Sequence, residues 1–331
     1  MDSDAADQAP AASTGDGPVG DPLLALVWRR HRQWSLAANA ARARLDRWRL
    51  VNLALLVVGA LLGALAAQPW LGSGAATGCA ISAAVLLAVA GLLQAHALNA
   101  DETARWTHAR AASEALKAET YRYLLRVAPY AASDRAAILQ AQLDVVQTRA
   151  QALVIDRLET TPDDRPLPTL RTVEEYVATR AQSQATWHRD KGVQHSRRAR
   201  RLGFWQLLAT AVGVVLSAVT GFVPSWRLST WTAAATTIAA VFGAHLAGTQ
   251  HQRIAAAFAQ TADQLETLIA GIDFATATPE RQAQFVADVE RVLAAQNDGW
   301  TDLLSPDPGV DRSEPTAHSG SGGMDGIGGR A

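Results

Sequence analysis

Charged residues are absent from two long parts of this chain. No Asp, Glu, Lys or Arg lies between Leu50 and Ala100, and only Arg227 interrupts the stretch from Leu202 to Gln252. A helix of about 20 apolar residues crosses a bilayer, so each stretch is too long for one buried helix but fits two spans joined by a tight turn. The sequence therefore predicts an all-α integral membrane protein with two transmembrane helical hairpins, four spans in all, and cytoplasmic helical stalks or a helical bundle.

Cysteine and the familiar catalytic motifs are also scarce. Cys79 is the only cysteine, which excludes a disulfide within the chain and a cysteine-based metal site. The sequence has no Walker-type phosphate loop, no HExxH and no G-x-S-x-G. His188 and His195 lie seven residues apart on an Arg-rich helix, which is more typical of a solvated face than of a metal site. We therefore expect a protein that is not an enzyme, with no catalytic residues, cofactor or metal.

Arginine is concentrated just before each hairpin, and this distribution predicts the orientation. The first turn has no basic residue and the second has only Arg227. Positive charge close to the ends of spans stays in the cytoplasm, so we expect both termini there, in a multi-pass protein of the bacterial inner membrane. The first 27 residues contain no Lys or Arg, so we expect no cleavable signal peptide. The tryptophans that fit an interfacial belt are Trp48 and Trp205 on the inner side and Trp70, Trp226 and Trp231 on the outer side.

The arginines before the hairpins could also bind several classes of anionic ligand. Anionic lipid, nucleic acid and a nucleotide messenger are all compatible with such a helix. Its position against the membrane makes lipid headgroups the default, and no nucleic-acid-binding module surrounds it. The expected partners are thus the bilayer and further copies of this chain, without nucleic acid.

Composition divides the chain into two modules with tails. Residues 1–21 and 301–331 are expected to be disordered tails, and 160–169 to be a linker rich in Pro and Asp. The first module (22–159) and the second module (170–300) follow the same plan, an Arg-rich helix, a hairpin and then water-exposed helices, which suggests a tandem repeat.

Several helix limits follow from local signals. We expect a helix from Pro22 that is continuous with the first span, and a second span that continues directly into a stalk ending before Pro129. The last helix should run from Pro279 to about Asn297, since Thr-Pro is a favoured helix start. Between these, an apolar seam repeats in steps of four and three: Leu139, Leu143, Val146, Ala150 and Leu153. Packing of this seam against the neighbouring stalk is favoured, and an intermolecular coiled coil is the alternative.

Polar and small residues within the spans are the candidate functional residues. Gln94, His96, Gln206 and His245 lie toward the cytoplasmic ends of the spans, where they either meet headgroups and neighbouring helices or line an aqueous path in an oligomer. Small residues spaced four apart allow helices to approach closely. They are Gly59 and Gly63 in the first span and Gly213, Ser217 and Gly221 in the third, and they serve packing within a hairpin or between copies.

The stretch directly after the second span resembles a known family. Trp106, the run Ser-Glu-Ala-Leu-Lys-Ala-Glu over 113–119, Tyr121 and Tyr123 are similar to the SLATT superfamily, which includes DUF4231-like domains. The second module resembles a divergent copy, from Tyr176 and Trp187 to Leu265. The resemblance covers about residues 22–300.

This resemblance implies a bacterial effector of a conflict or antiviral system. Such proteins are expected to oligomerise and form a pore or disrupt the membrane when a separate enzyme makes, or a sensor detects, a nucleotide signal. The signal would rearrange the cytoplasmic helices and open a path near Gln94, His96 and His245. The alternative is a scaffold or adaptor that localises a cytoplasmic partner without conducting. A transporter is disfavoured because no ionised residue lies mid-membrane.

Overall fold

The computed structural model describes residues 21–153, 165–222 and 228–304. Residues 1–20 and 305–331 of the predicted tails, residues 160–164 of the linker and the second hairpin turn with Trp226 lie outside these residues, and the limits assigned to the modules stay predictions. The predicted start of the C-terminal tail at residue 301 is wrong, because residues 301–304 belong to the last helix. Every regular element in the described ranges is helical, which confirms the all-α class.

The described ranges contain eight main helices, which follow the same order in both modules. In the first they are α1 (Pro22–Ala66), α2 (Ser73–His96), α3 (Ala100–Leu124) and α4 (Arg135–Arg149), and a short 3-10 turn follows at Gln151–Leu153. In the second they are α5 (Val173–Thr220), α6 (Leu228–Thr249), α7 (His251–Ala270) and α8 (Pro279–Leu304). Residues 177–181 of α5 form a π-helical segment.

Local sequence explains where the two long helices begin. The Asp21 carboxylate accepts hydrogen bonds from the backbone N–H groups of Leu23 and Leu24, and Pro22 occupies the first turn. Thr172 and Glu175 form a reciprocal capping box at the start of α5. The predicted helix that continues from Pro22 into the first span is confirmed.

The second span does not continue into the stalk, and this prediction was wrong. α2 ends at His96, and the Asn99 side chain caps α3 by accepting from the N–H of Glu102 at 3.0 Å. A matching break separates α6 from α7, where Gln250 has a left-handed φ of 48°. The last helix also extends beyond the predicted end near Asn297, to Leu304.

Three helices, α1, α2 and α5, are long and apolar enough to cross a membrane by length and composition. α6 has the length predicted for the fourth span but is rich in threonine. The hydroxyls of Thr232, Thr236 and Thr237 each donate to a backbone carbonyl one turn earlier, at 2.9 to 3.1 Å. These internal bonds let a threonine-rich helix enter an apolar environment without unpaired hydroxyls.

The apolar ends of these helices pack in the order α2, α1, α6, α5. α1 contacts α2 on one side and α6 on the other, and α5 packs on α6. A hydrogen bond connects the first hairpin turn to α6: the buried Gln68 side chain donates to the Thr230 hydroxyl at 2.9 Å. The end of α1 and the start of α6 therefore lie at the same end of the molecule.

The water-exposed helices pack at the opposite end. α3 lies along α1, α7 along α5, and α8 bridges the modules by packing on both α3 and α7. All five residues of the predicted seam, Leu139 to Leu153, are buried in a core shared with α1 and α3. The seam therefore packs within the chain, as favoured.

Candidate functional site

A cavity of about 130 Å³ lies between the two modules at the water-exposed end. Helices α1 and α3 of the first module form one wall, and α5, α7 and α8 of the second form the other. Tryptophans line both walls, Trp106 from α3 and Trp187 from α5. The site therefore exists only where the modules are docked.

The lining carries more positive than negative side chains. Its cations are Arg42, Arg110, Lys191 and Arg198, and its carboxylates are Asp46 and Glu114. Arg42 lies 3.1 Å from Asp46 and 4.5 Å from the centre of the Trp106 ring, and Lys191 lies 5.7 Å from that of Trp187. The indole rings thus support two of the cations through cation–π contacts.

Glu114 forms ion pairs with one arginine of the cavity and with another beside it. Its carboxylate lies 2.7 Å from Arg110 and 3.9 Å from Arg180. Burial alone would raise the pKa of Glu114, but Arg110, Lys117 and Arg180 outweigh burial and hold that pKa well below its usual range. Glu114 is therefore ionised at physiological pH.

A buried ion pair lies beside the cavity. Arg180, in the π-helical segment of α5, donates from Nε and Nη2 to the two carboxylate oxygens of Glu290 on α8, at 3.2 and 3.1 Å. The Tyr176 hydroxyl donates to the same carboxylate at 2.7 Å, and the Tyr121 ring of the first module lies 4.9 Å from the guanidinium. Arg180, Glu290 and Tyr176 are at most 1 % exposed. This cluster holds α5, α8 and α3 together.

The histidines singled out in the sequence are separated. The Nδ1 atom of His188 lies 2.6 Å from the Gln184 carbonyl, and its Nε2 lies 2.6 Å from the Gln296 amide group. The Nδ1 atom of His195 instead lies 3.0 Å from that of His251. Burial, and next the positive charge of the facing groups, lowers the pKa of His195 to about 3 and that of His251 to about 4. In the described ranges no three His, Cys, Asp or Glu side chains converge as metal ligands would.

The four predicted polar residues of the spans lie on two different hairpins. The Gln94 side chain accepts from Asn52 of α1 at 3.4 Å, and His96 is exposed at the end of α2. Gln206 packs beside Gly243 of α6, and His245 interacts electrostatically with Arg49 and Asp46 of α1. α1 separates the first pair from the second, so one copy of the chain does not bring all four together.

Some of the predicted small residues lie against a neighbouring helix, and others have open space beside them. A side chain at Gly59 would meet Leu87 of α2 at 2.9 Å, and one at Gly213 would meet Ala235 of α6 at 3.6 Å. A Cβ at Gly63 would meet nothing within 4 Å among the described residues. Ser217 is exposed, and the nearest atom to a Cβ at Gly221 belongs to its own helix.

The tryptophans predicted to lie at the membrane interfaces differ in exposure. Trp70 is 69 % exposed at the first turn, and Trp48 is half-buried on α1. Trp205 and Trp231 line an apolar groove of about 260 Å³ between α5, α6 and Leu61 of α1. This groove is open at the surface, since Trp205 is 47 % exposed.

Sequence reasoning missed the ion pair and the cavity. Glu290 had a usable signal, because it lies four residues after Val286 and three before Leu293, on the buried face of α8. A carboxylate on such a face requires a buried cation. Arg180 had no comparable signal, since arginine is frequent along α5.

Two family models match the chain, one in each module. The SMODS and SLOG-associating 2TM effector domain 1, SLATT_1, matches residues 176–300. DUF4231, a protein family of unknown function, matches residues 32–137. Neither the curated proteins nor the solved structures contain a match. The two family matches meet in the cavity between α1, α3 and α5, and the chain is a two-domain protein of the SLATT superfamily with a DUF4231-like first domain.

Proposed function

We propose that this protein is a membrane effector of a bacterial conflict system, and that several copies assemble to open a pore or disrupt the inner membrane. The name of the SLATT_1 family, a two-transmembrane effector domain, is consistent with a membrane effector. Under this proposal the protein is not an enzyme, and it responds to a separate enzyme or sensor of a nucleotide signal.

The order of the spans is the observation that carries the proposal. α2 and α5 lie at the two ends of the series α2, α1, α6, α5, and each has one principal neighbour among the spans. The groove between α5 and α6 lies at the surface of the series, because Leu208 and Val212 are 42 % and 44 % exposed. Its lining is apolar, and an apolar lining offers ions no replacement for their hydration shell. The groove is therefore not a path for ions in one copy, and under the proposal a water-filled path requires several copies.

The two open edges suggest how copies associate. If α2 of one copy meets α5 of the next, the contact is head-to-tail, and such contacts form a ring when the rotation closes. Gln94 and His96 lie exposed on α2, so they would face a neighbouring copy or the lumen of the ring. We propose α6 as the fourth span and cytoplasmic termini, as the arginine distribution favours.

Substitutions of glycines provide the test, because a side chain would meet a neighbouring helix at some of these positions and open space at others. We would measure membrane potential and dye leakage in cells that express the full chain, and the mass of the detergent-solubilised complex. Gly78 of α2 is open like Gly63, so Gly78→Leu should leave each copy intact but reduce leakage and shift the complex toward a monomer. Gly63→Leu on α1 is the matched variant away from the edge, and Gly59→Leu should disrupt the hairpin itself through Leu87. A wild-type complex that is monomeric in both detergent and nanodiscs would contradict the proposal.

A non-conducting scaffold is the second candidate function. It is favoured by the position of the charged cavity and the buried ion pair, which lie in the water-exposed helices and not in the spans. A scaffold should leave the membrane potential intact even where the protein is fully inserted and oligomeric. The leakage measurement therefore separates the two functions.

A further inference from the structure

We propose that the inter-module cavity binds a phosphate group, either that of a soluble phosphate ester, with Arg42, Lys191 and Arg198 as its ligands, or that of an anionic lipid headgroup, with Arg198 as its principal ligand. Binding would hold the two modules in their docked arrangement. The binding itself does not depend on the proposed function, although any effect on membrane permeability does.

The charge of the lining favours an anion. The lining carries four cations and two carboxylates. The cations come from both modules, Arg42 and Arg110 from the first and Lys191 and Arg198 from the second. Both carboxylates lie on the first wall, where Asp46 pairs with Arg42 and Glu114 with Arg110, so the excess positive charge of the lining comes from Lys191 and Arg198. An anion that binds these two side chains together with Arg42 links the two walls and stabilises the docked state.

Two nearby histidines lie in the field of the same cations. His195 lines the cavity, and its pKa is lowered by burial and by His251, Arg42 and Arg198. The pKa of the neighbouring His251 is lowered by burial and then by Arg198 and Arg42. Arg42 and Arg198, which would bind the phosphate, thus also disfavour protonation of these two histidines.

Size and side-chain chemistry narrow the ligand. A volume of about 130 Å³ is well below the roughly 300 Å³ at which drug-sized pockets begin, so the cavity suits one compact anionic group. Guanidinium groups bind phosphate oxygens in pairs, and lysine adds a point charge. A single phosphate group fits both the volume of the cavity and the chemistry of its side chains, if the rest of the ligand molecule lies outside the cavity.

The position of the cavity makes two sources of phosphate accessible. Arg198 lies four residues before the apolar stretch that starts at Leu202, about 6 Å along the helix, which is within the headgroup layer. Lys191 lies about 16 Å from the same point, beyond the reach of a headgroup and open to soluble ligands. The near end of the cavity therefore favours a lipid and the far end a soluble phosphate.

Thermal unfolding of the full chain in nanodiscs tests the binding without any leakage measurement. Inorganic phosphate and ATP are added to phosphatidylcholine nanodiscs at constant ionic strength, and phosphatidylglycerol nanodiscs are compared without them. For a soluble phosphate, both additions should raise the unfolding midpoint in a saturable way, and Arg42→Gln, Lys191→Gln and Arg198→Gln should each weaken the apparent affinity about tenfold or more. For a lipid phosphate, only phosphatidylglycerol should raise the midpoint, and Arg198→Gln should abolish the rise.

Matched variants separate a specific site from general charge. Arg44→Gln on α1 and Arg200→Gln on α5 remove the same charge from exposed positions close to Arg42 and Arg198, and should bind phosphate like the wild type. If Arg42→Gln fails to fold, the half-buried Lys191 provides the second site variant. The proposal is overturned if no phosphate source raises the midpoint, or if the Arg44→Gln and Arg200→Gln variants lose the effect as fully as the site variants do.

Discussion

Removal of Arg180 should destabilise the protein more than removal of its partner Glu290, and removal of both should cost least. Glu290 is fully buried and receives three hydrogen bonds, two from Arg180 at 3.1 and 3.2 Å and one from the Tyr176 hydroxyl at 2.7 Å. Arg180→Met leaves this carboxylate with the tyrosine alone. A buried charge that loses its partner costs about 3–5 kcal/mol.

The geometry predicts a smaller loss for the opposite change. In Glu290→Leu the guanidinium keeps a second carboxylate, Glu114, at 3.9 Å and the face of the Tyr121 ring at 4.9 Å. Its destabilisation should thus be near the lower limit, about 3 kcal/mol. The double variant Arg180→Met/Glu290→Leu leaves neither charge buried. It also removes Arg180 Nη1, a buried donor without a partner in the described part of the chain, so it should lose only about 1–2 kcal/mol.

Differential scanning fluorimetry of the full chain in detergent micelles measures this order. At about 2–4 °C for each kcal/mol, Arg180→Met should lower the unfolding midpoint by roughly 10 °C, Glu290→Leu by less, and the double variant by only a few degrees. Arg189→Met on the exposed face of the same helix controls for the loss of an arginine. A double variant as unstable as Arg180→Met would refute the reasoning, because the loss would then come from packing and not from an unpaired charge.

Two further outcomes follow from buried polar groups. Stability should fall as the pH drops from 7.5 to 5, since burial and neighbouring charges lower the folded-state pKa of His31 and His195 to about 3 and that of His251 to about 4, so the unfolded chain binds more protons over this range. Each histidine contributes about 2 kcal/mol of this loss at pH 5. In His31→Gln, a plot of the unfolding midpoint against pH should therefore have a shallower slope than in the wild type. An unchanged slope would contradict the lowered pKa of His31. Gln68→Leu should weaken the contact between the hairpins, and a double-mutant cycle with Thr230→Val should give a coupling of about 0.6–1.7 kcal/mol, whereas a value near zero would remove this bond from the interface.

The elements of the fold could be predicted from the sequence because their signals are local. The absence of charge predicted long apolar helices in both modules, and α1, α2 and α5 are long and apolar enough to cross a membrane. The break after α2 also had a local signal that was not used. Asn99 precedes Glu102 by three residues, which is the pattern of a helix start inside an otherwise continuous apolar and helical run.

The site could not be predicted in the same way. The cavity joins Arg42 to Arg198 and Trp106 to Trp187, pairs that lie far apart in the sequence and meet only through the docking of the modules. Helical periodicity shows which face of one helix is buried, but it does not show which other helix covers that face. The arginines were therefore assigned to membrane orientation as a group, although Arg44 and Arg47 are exposed while Arg42 enters the cavity.

The distribution of helix breaks determines how a change at the cavity would reach the membrane. α1 runs without interruption from the water-exposed core at Leu24 to the first hairpin turn after Ala66, and α5 likewise extends from Val173 to Thr220. The returning helices are each interrupted, at Asn99 and at Gln250. We therefore expect a displacement of α1 against α5 at the cavity to be transmitted along two continuous helices. The breaks should let α3 and α7 move without carrying α2 and α6 in the same direction. A ligand or partner can shift this equilibrium only by as much as it prefers one arrangement of the modules. The charged walls of the cavity, contributed by both modules, are placed where such a preference acts directly on the two continuous helices.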